Sequence, residues 1–358
     1  MVIRFVLRTF NKESKIVRIF AIAAMICLFG STRAEEQKAT IETEAAAGAK
    51  SRTFQFSYTA TIEAKDVPEG AKSVELWIPV PQDSIHQTIT DIKFSTPQAP
   101  EIAVEKELGN KIAHWKIDAA AAKGLSVTMT FDCVRKEVSA KDIDKARELT
   151  ADEKTALAPW LKANKLVLVG GDFEKVADAA VKGATKPGEI AKAAYDYTVD
   201  TMKYDKPKDK PGWGNGSTQW ACDSKFGNCT DFHAMIMSIG RTKGVPVKFE
   251  MGFPLPAPDA AKPETKAGPI GGYHCWAKMY LGGVGWVPVD ASEAQKNPAM
   301  APYYYGNLTP DRVQVSTGRD VNLVPKQTEA ALNYFVYPYA EADGKKITVA
   351  KKFEFKDL

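Results

Sequence analysis

Apolar and polar positions alternate over several short runs in the first part of the chain. The runs cover residues 54–62, 74–80, 111–117 and 125–134. Successive side chains of a strand point to opposite faces, so this alternation predicts strands with one buried face. Because turn-forming residues separate the runs, residues 51–145 are predicted to form a small antiparallel β-domain of the sandwich type. Every second residue of the last run is apolar, and Cys133 on that face is predicted to be a core residue.

The period of the pattern changes at about residue 150. Thr150 and Glu153 have the spacing of a capping box, ahead of a helix that Pro159 should end or kink. Apolar residues then recur at helical spacing within 187–204 and again within 232–239. These two stretches are therefore predicted to be helices with one buried face.

Two later strands are predicted to face each other across a glycine-rich turn. Residues 273–280 alternate so that His274 lies on one face and Cys275 on the other, and we therefore interpret Cys275 as a packing residue. The turn at 282–285 leads the chain back to Asp290. A connection with an odd number of residues puts His274 and Asp290 on one face at diagonal positions. A two-residue hairpin would put them on opposite faces.

The C-terminal residues 326–358 predict a β-hairpin. Its strands are expected at 332–339 and 346–355, with Asp343-Gly344 between them as the turn. The loop 254–272, rich in proline and glycine, is expected to wall a substrate site.

The N-terminal residues 1–34 have the organisation of an export signal. Six basic residues and one acidic residue surround an apolar run at 19–30 that is too short to span a bilayer comfortably, and small residues precede a cleavage point after Ala34. An uncleaved membrane anchor is the alternative, and a lipoprotein signal at Cys27 is a weaker one because Ile26 precedes it. Residues 35–50 follow as a flexible lead.

Composition and charge agree with an exported globular protein. The chain has 44% apolar and 26% charged residues, which is ordinary for a folded domain. Its net charge of +4 comes from the N-terminal segment, so the remainder is close to neutral and no nucleic-acid partner is predicted. After signal cleavage we expect no stable membrane span and a periplasmic or extracellular location. The sequence makes no prediction of oligomeric state.

The residues that carry chemistry are Cys229, His274 and Asp290. Cys229 stands at the start of the helix predicted over 232–239, where free backbone N–H groups and the helix dipole stabilise a thiolate. His274 would take and return a proton, and Asp290 would orient its imidazole. This set of residues predicts a thiol nucleophile.

The same stretches closely resemble the bacterial transglutaminase-like superfamily. The resemblance rests on Gly-Asn-Cys-Thr-Asp-Phe at 227–232, His-Cys-Trp-Ala at 274–277 and Gly-Trp-Val-Pro-Val-Asp at 285–290. It implies a Cys-His-Asp catalytic triad and an α+β, papain-like core in which the helix with the Cys packs on an antiparallel sheet with the His and Asp. Residues 146–325 would form this domain with a helical lead-in, behind the N-terminal β-domain. His233 departs from the family pattern, which has a small apolar residue there.

Other interpretations of the polar residues stay open. Gln219 or Trp220 could supply an oxyanion donor or pack within a loop, and His233 is a packed or solvated helix residue or a neighbour of the thiol. Cys222 is free or pairs with Cys229 as an oxidised form. A zinc site of Cys222, Cys229, His233 and His274 is the other specific possibility, although it would leave Asp290 without a role. We predict no metal and no cofactor.

The expected function is therefore that of an exported thiol enzyme with a peptide or protein substrate. The resemblance implies cleavage or transfer at an amide or peptide bond through an acyl-enzyme, and we favour hydrolysis over transfer to an amine. The alternative is a binding or assembly module of the cell envelope that keeps the fold without the turnover.

Overall fold

Residues 49–206 and 212–358 are described by a computed structural model. The predicted signal segment 1–34 and nearly all of the lead 35–50 lie outside the described residues. The strands of the described part are β1 (Ser51–Thr61), β2 (Ser73–Val80), β3 (Gln87–Ser95), β4 (Glu101–Val104), β5 (Lys111–Asp118), β6 (Ser126–Lys136), β7 (Val138–Ser139), β8 (Lys203–Tyr204), β9 (Phe226–Gly227), β10 (Val247–Pro254), β11 (Ala267–Pro269), β12 (His274–Leu281), β13 (Gly285–Val289), β14 (Asn307–Leu308), β15 (Arg312–Thr317), β16 (Tyr339–Ala342), β17 (Lys345–Ile347) and β18 (Ala350–Asp357).

The helices lie mainly in the middle of the chain. They are α1 (Ala119–Ala122), α2 (Ala151–Ala156), α3 (Glu174–Val181), α4 (Pro187–Thr201), α5 (Thr218–Ser224), α6 (Cys229–Thr242), α7 (Ala291–Lys296) and α8 (Ala301–Tyr304). The capping box predicted at Thr150 and Glu153 is confirmed. Pro159 lies in a separate 3₁₀ turn after α2, because proline lacks the N–H that would continue the helix. None of the helices in the described ranges is long and apolar enough to cross a membrane.

Two five-stranded sheets contain the strands predicted from the N-terminal alternation. One has the order β11-β18-β1-β6-β3 and the other β17-β16-β2-β5-β4, both with antiparallel neighbours. Most of their apolar side chains belong to one core, in which Phe56 stacks on Phe131 with the ring centroids 5.5 Å apart. Cys133 is fully buried in this core, as predicted.

Strands from the C-terminus complete both of these sheets. β18 pairs with β1, with Phe355 opposite Phe56, and β16 pairs with β2. The turn predicted at Asp343-Gly344 is confirmed between β16 and β17. The strand predicted over 332–339 was wrong: the chain becomes a strand only at Tyr339, after Pro338, which cannot donate to a strand ladder.

The described residues all belong to one compact unit. Residues 145 and 325 were predicted to be the boundaries between separate domains, and these boundaries stay predictions. The loop 254–272 is fixed to the first sheet, since β11 pairs with β18 and the Ile270 N–H donates to the Phe353 carbonyl at 2.9 Å. Its role as a wall of the substrate site also stays a prediction.

A third sheet, of order β13-β12-β10-β15, supports the central helix α6. Residues 229–241 of this helix are all buried. The helix can come close to the sheet at Gly240, where a Cβ atom would lie 2.6 Å from the Val247 side chain and 3.1 Å from that of Met279. This packing brings the first turn of α6 to the end of the sheet where β12 begins and β13 ends.

Candidate active site

Cys229 is the first residue of α6, as predicted. Asn228 caps the helix, since its side-chain oxygen accepts from the Thr230 N–H at 2.8 Å. Asp231 completes the cap by accepting from the Asn228 N–H at 3.0 Å. The same carboxylate also accepts from the backbone N–H of Gly214 at 2.7 Å, which fixes the preceding loop against the helix. The thiol therefore lies at a rigid helix N-terminus, where its ionised form is stabilised.

His274 and Asp290 are brought together by the turn between β12 and β13. Leu281 pairs with Gly285, so three residues connect the strands, and the predicted odd-numbered connection is confirmed. The two side chains consequently share a face, and His274 Nε2 lies 2.8 Å from Asp290 Oδ2. This bond leaves Nδ1 of the imidazole for the thiol, and His274 is hydrogen-bonded to Cys229.

Asp290 is fully buried and held by several donors besides His274. It caps α7 by accepting from the Glu293 N–H and the Ser292 hydroxyl, both at 3.1 Å. Arg312 Nη1 also donates to Asp290 Oδ2 at 3.1 Å. Burial raises the pKa of Asp290, but the charge and hydrogen bond of His274 and the charge of Arg312 hold it well below its usual range. The carboxylate therefore stays ionised and fixes the orientation of the imidazole.

The thiol and the imidazole shift each other's pKa toward the charged forms. Burial raises the pKa of the Cys229 thiol, but hydrogen bonds with Cys275 and His274 and the charge of His274 bring it well below its usual value. Burial lowers the pKa of His274, while the charge and hydrogen bond of Asp290 and the contact with Cys229 raise it to about 10. A thiolate beside an imidazolium is the arrangement that a thiol nucleophile requires.

Cys275 lies closer to the thiol than the sequence predicted. It is fully buried, as a packing residue would be, but its thiol is hydrogen-bonded to Cys229 and lies 3.5 Å from Nδ1 of His233. Strand parity separates Cys275 from His274 within the sheet, but α6 covers the face that carries Cys275. Its burial is that of a packing residue, as predicted, whereas its closeness to the thiol was not predicted.

His233 is a buried neighbour of the thiol, one of the two roles predicted for it. It lies one turn after Cys229 on α6, and its Nε2 atom is 3.8 Å from Asp290 Oδ1 without a hydrogen-bond partner. Burial lowers the pKa of His233. Its imidazole is therefore neutral beside the ionised groups.

The other residues predicted for the site lie elsewhere. The amide nitrogen of Gln219 donates to the Asp223 carboxylate on the exposed side of α5, at 3.0 and 3.1 Å. The Trp220 ring lies against Gly212, where a Cβ atom would come within 2.5 Å of the ring. Cys222 is a free thiol 4.0 Å from the Met235 sulfur, so the proposed zinc ligands do not surround one point. Both oxyanion roles stay predictions.

Among the described residues, one group of three side chains could hold a metal ion. It consists of His274, Asp290 and Glu293, whose ligand atoms lie within 4.8 Å of one another. His274 Nε2 already bonds Asp290, and Glu293 Oε1 lies 3.7 Å from the same nitrogen. This group therefore coincides with the hydrogen-bonded pair of the site.

Two neighbours of Cys229 were not predicted. The Tyr204 hydroxyl accepts from the backbone N–H of Cys229, because β8 pairs with β9 and sets Tyr204 opposite Gly227. The Tyr273 hydroxyl accepts from Asn228 Nδ2 at 2.9 Å and lies 2.6 Å from the Thr230 hydroxyl. Tyr273 directly precedes His274, and this adjacency was the only indication of its position in the sequence.

Arg312 was also missed as a residue of the site. Its guanidinium lies over the Trp276 ring, 4.9 Å from the centroid, and the Trp276 Nε1–H donates to Glu250 at 2.6 Å. Arg312 begins β15, which reaches Asp290 only because β15 pairs with β10 in the same sheet. A basic residue at the start of a strand does not by itself predict this contact.

Comparisons with known proteins agree with this arrangement. Residues 174–291 match the family model of the transglutaminase-like superfamily, a span that contains the whole Cys229–His274–Asp290 group. An uncharacterized protein of Haemophilus influenzae is 26% identical over 333 residues, covering 84% of this chain and 89% of the relative.

Solved structures extend the comparison to the fold. A candidate cysteine protease from Cytophaga hutchinsonii has a TM-score of 0.53 at 14% identity, over 87% of this chain and 92% of that one. The periplasmic domain of TgpA from Pseudomonas aeruginosa covers 73% of this chain and 96% of its own, with a TM-score of 0.35 at 11% identity. Only the first of these scores is high enough to support a shared fold.

The fold and the site together define a class of protein. A buried helix that begins with a cysteine packs on an antiparallel sheet that carries a histidine and an aspartate, which is the predicted α+β, papain-like core. Residues 174–291 therefore match the transglutaminase-like superfamily, and the fold is shared with a candidate cysteine protease.

Proposed function

We propose that this protein is an exported thiol enzyme that opens an amide or peptide bond through an acyl-enzyme on Cys229. One observation carries the proposal: the buried His274 imidazole, whose charge acts on the Cys229 thiol, lies with its Nε2 atom 2.8 Å from the buried Asp290 carboxylate. A thiolate at a helix N-terminus, a proton carrier and a group that orients it are the parts that nucleophilic catalysis requires.

The first half of the reaction forms the acyl-enzyme. The Cys229 thiolate attacks the carbonyl carbon, and a C–S bond forms while the carbonyl oxygen takes the negative charge. The positive end of the α6 dipole lies where it can favour this oxyanion. The His274 imidazolium then gives its proton to the leaving amine as the C–N bond breaks. Asp290 and its donor Arg312 hold the imidazole in place throughout this transfer.

The second half releases the acyl group. Water or an amine gives a proton to His274 and attacks the thioester carbon, and the C–S bond breaks to restore the thiolate. We propose water as the usual second nucleophile, so that the reaction is hydrolysis of a peptide or amide. The location proposed for this reaction is the periplasm or the exterior of the cell, on the basis of the charge and apolar pattern of residues 1–34.

Activity profiling tests the reaction and separates its two outcomes. The protein is incubated with a denatured protein substrate and a fluorescent primary amine, and mass spectrometry then counts new peptide termini and amine adducts. We expect new termini to exceed adducts. Cys229→Ala should abolish both, whereas Cys222→Ala should retain them because Cys222 lies against Met235 away from the ion pair.

The opposite result has a clear meaning. If the native protein yields no more products than Cys229→Ala, the proposed reaction is wrong and the non-catalytic envelope module becomes the better interpretation. N-terminal sequencing of the protein from a periplasmic extract tests export. Cleavage after Ala34 is expected, and an intact N-terminus in the membrane fraction would support the anchor.

A further inference from the structure

A groove lies beside the Cys229 site, between the irregular segment before β16 and the turn from β17 to β18. It encloses about 620 Å³, which suits a short peptide or another small ligand. Tyr334, Tyr337 and Tyr339 line it together with Lys346 and Lys351. Its wall is therefore both aromatic and basic.

The aromatic residues of the groove are joined to the nucleophile by Tyr273. The Tyr273 ring packs on Tyr334 and Tyr337, with centroid distances of 5.5 and 5.6 Å. Its hydroxyl bonds Asn228 and Thr230, the two residues on either side of Cys229. One side chain thus separates the groove from the start of α6. A ligand held on the tyrosines would lie next to the site where the amide reacts.

The charge of the groove favours an anionic ligand. The Lys351 ammonium lies 4.4 Å from the centroid of the Tyr337 ring, and that of Lys346 lies 6.0 Å from the Tyr339 ring. Both lysines are exposed, and neither forms an ion pair with any carboxylate of the described ranges. No acidic side chain lines the groove in the part of the chain described. Two positive charges therefore line the space that a ligand would occupy.

The backbone beside the groove can bind an extended chain. β17 is the edge strand of its sheet and has a neighbour, β16, on one side only. Its last residue, Ile347, lines the groove together with Thr348 and Val349. A peptide can add to such an edge through main-chain hydrogen bonds, while side-chain pockets select its sequence. This favours a peptide over an anionic sugar.

We propose that the Tyr334–Tyr339 and Lys346–Lys351 groove binds an acidic peptide segment of the substrate, next to the amide that reacts at Cys229. The proposal rests on the proposed function for the reaction of the peptide once it is bound. Lys346 and Lys351 would bind side-chain carboxylates, and the tyrosines would pack on the peptide planes and aliphatic side chains. The enzyme would in this way select acidic peptides.

Fluorescence anisotropy tests the groove without using turnover. The probes are fluorescein-labelled pentapeptides with glutamate or lysine at alternate positions and alanine between them. The protein is the full chain with Cys229→Ala, which cannot form an acyl-enzyme. We expect saturable binding of the glutamate peptide that weakens with added salt, and much weaker binding of the lysine peptide. Lys346→Gln with Lys351→Gln should weaken binding of the glutamate peptide about tenfold.

A matched double variant separates the groove from general positive charge. Lys345→Gln with Lys352→Gln removes the same charge from the neighbouring positions, which do not line the groove. It should retain the affinity within about twofold. Equal losses in the two double variants, or equal binding of both peptides, would overturn the proposal. An oligogalacturonate that competes as strongly as the glutamate peptide would overturn the assignment to a peptide.

The two proposals fail in different ways. Peptide binding by the Cys229→Ala protein tests the groove alone, and product formation by the native protein tests the reaction alone. A protein that cleaves substrates but does not bind the acidic probe would contradict the groove and leave the proposed function standing. Binding without products would support the groove in a non-catalytic module.

Discussion

Replacing His274 by alanine should raise the pKa of the Cys229 thiol. It should remove roughly 4 kcal/mol of stabilisation from the thiolate, which is the interaction of two unit charges about 4 Å apart near a protein surface. The variant loses this attraction and one hydrogen bond, while burial of the thiol, which raises its pKa, remains. The thiol of His274→Ala should therefore titrate above the ordinary value of about 8.5.

Cys275→Ala provides the comparison for this effect. It removes one neutral hydrogen bond to the thiol and leaves the imidazolium in place. Such a bond contributes about 1 kcal/mol, so the pKa of Cys229 should rise much less than in His274→Ala. The two variants thus separate the contribution of charge from that of a neutral donor.

The assay is the rate of alkylation by iodoacetamide as a function of pH. Because only the thiolate reacts, the rate rises with pH through the pKa of the thiol. Mass spectrometry of the peptide that contains Cys229 distinguishes its labelling from that of the other cysteines. In the native protein the rate should already be at its plateau at neutral pH.

Two results would refute this explanation of the site. The first is an ordinary thiol profile in the native protein, since the ion pair predicts a much lower pKa. The second is a shift in His274→Ala no larger than the shift in Cys275→Ala. Either result would mean that the positive charge of His274 does not stabilise the thiolate.

Three further predictions concern pH dependence and stability. Turnover should fall as the pH rises through about 10, because His274 then loses the proton that it gives to the leaving amine. The measurement is kcat as a function of pH. An unchanged kcat above pH 10 would contradict the prediction. Gly252→Ala should lower the free energy of unfolding by about 3 kcal/mol in urea, because a Cβ atom would lie 1.7 Å from the Val313 carbonyl oxygen; a stability equal to that of the native protein would contradict it. Arg52→Ala should lower the free energy of unfolding by about 3 kcal/mol in the same assay, because buried Arg52 bonds two carboxylates and two backbone carbonyls. The control Arg147→Ala removes an exposed ion pair and should change the urea midpoint much less. Equal changes in the two variants would count against this reasoning.

Local patterns were sufficient for several elements of the fold and for the position of Cys229. The alternation over 54–62 predicted β1, whose side chains Phe54, Phe56 and Tyr58 are fully buried. The helical spacing after Cys229 predicted α6 and therefore the thiol at its first turn. These inferences succeed because the period of a strand or helix is set by the backbone and is visible in neighbouring residues.

The sequence defined the turn length that the His274–Asp290 contact requires, but it did not determine which turn length forms. Strand parity requires an odd-numbered connection, and the glycines at 282–285 allow more than one turn. The structure has three connecting residues, and the pair is 2.8 Å apart. Turn geometry decided this contact, because a change of one residue moves every side chain of a strand to the other face.

The C-terminal residues were predicted to form a hairpin, but their partners were not. Their strands complete the two sheets that the N-terminal residues begin, through pairs such as Phe355 with Phe56. Edge strands of similar composition offer equivalent local signals, so the choice of partner depends on which faces the whole fold buries.

The residues of the site also fall into two groups, those that local patterns predicted and those that local patterns did not predict. Residue type and local period were enough to predict that a thiol, an imidazole and a carboxylate follow a helix start and two strands. The packing of the whole chain was needed to establish that Arg312 donates to Asp290, that Cys275 lies near Cys229 and that Tyr273 joins the groove to the helix. Those contacts join residues that are distant in the chain, and their distances are fixed by how α6 packs on the sheet, which no local pattern records.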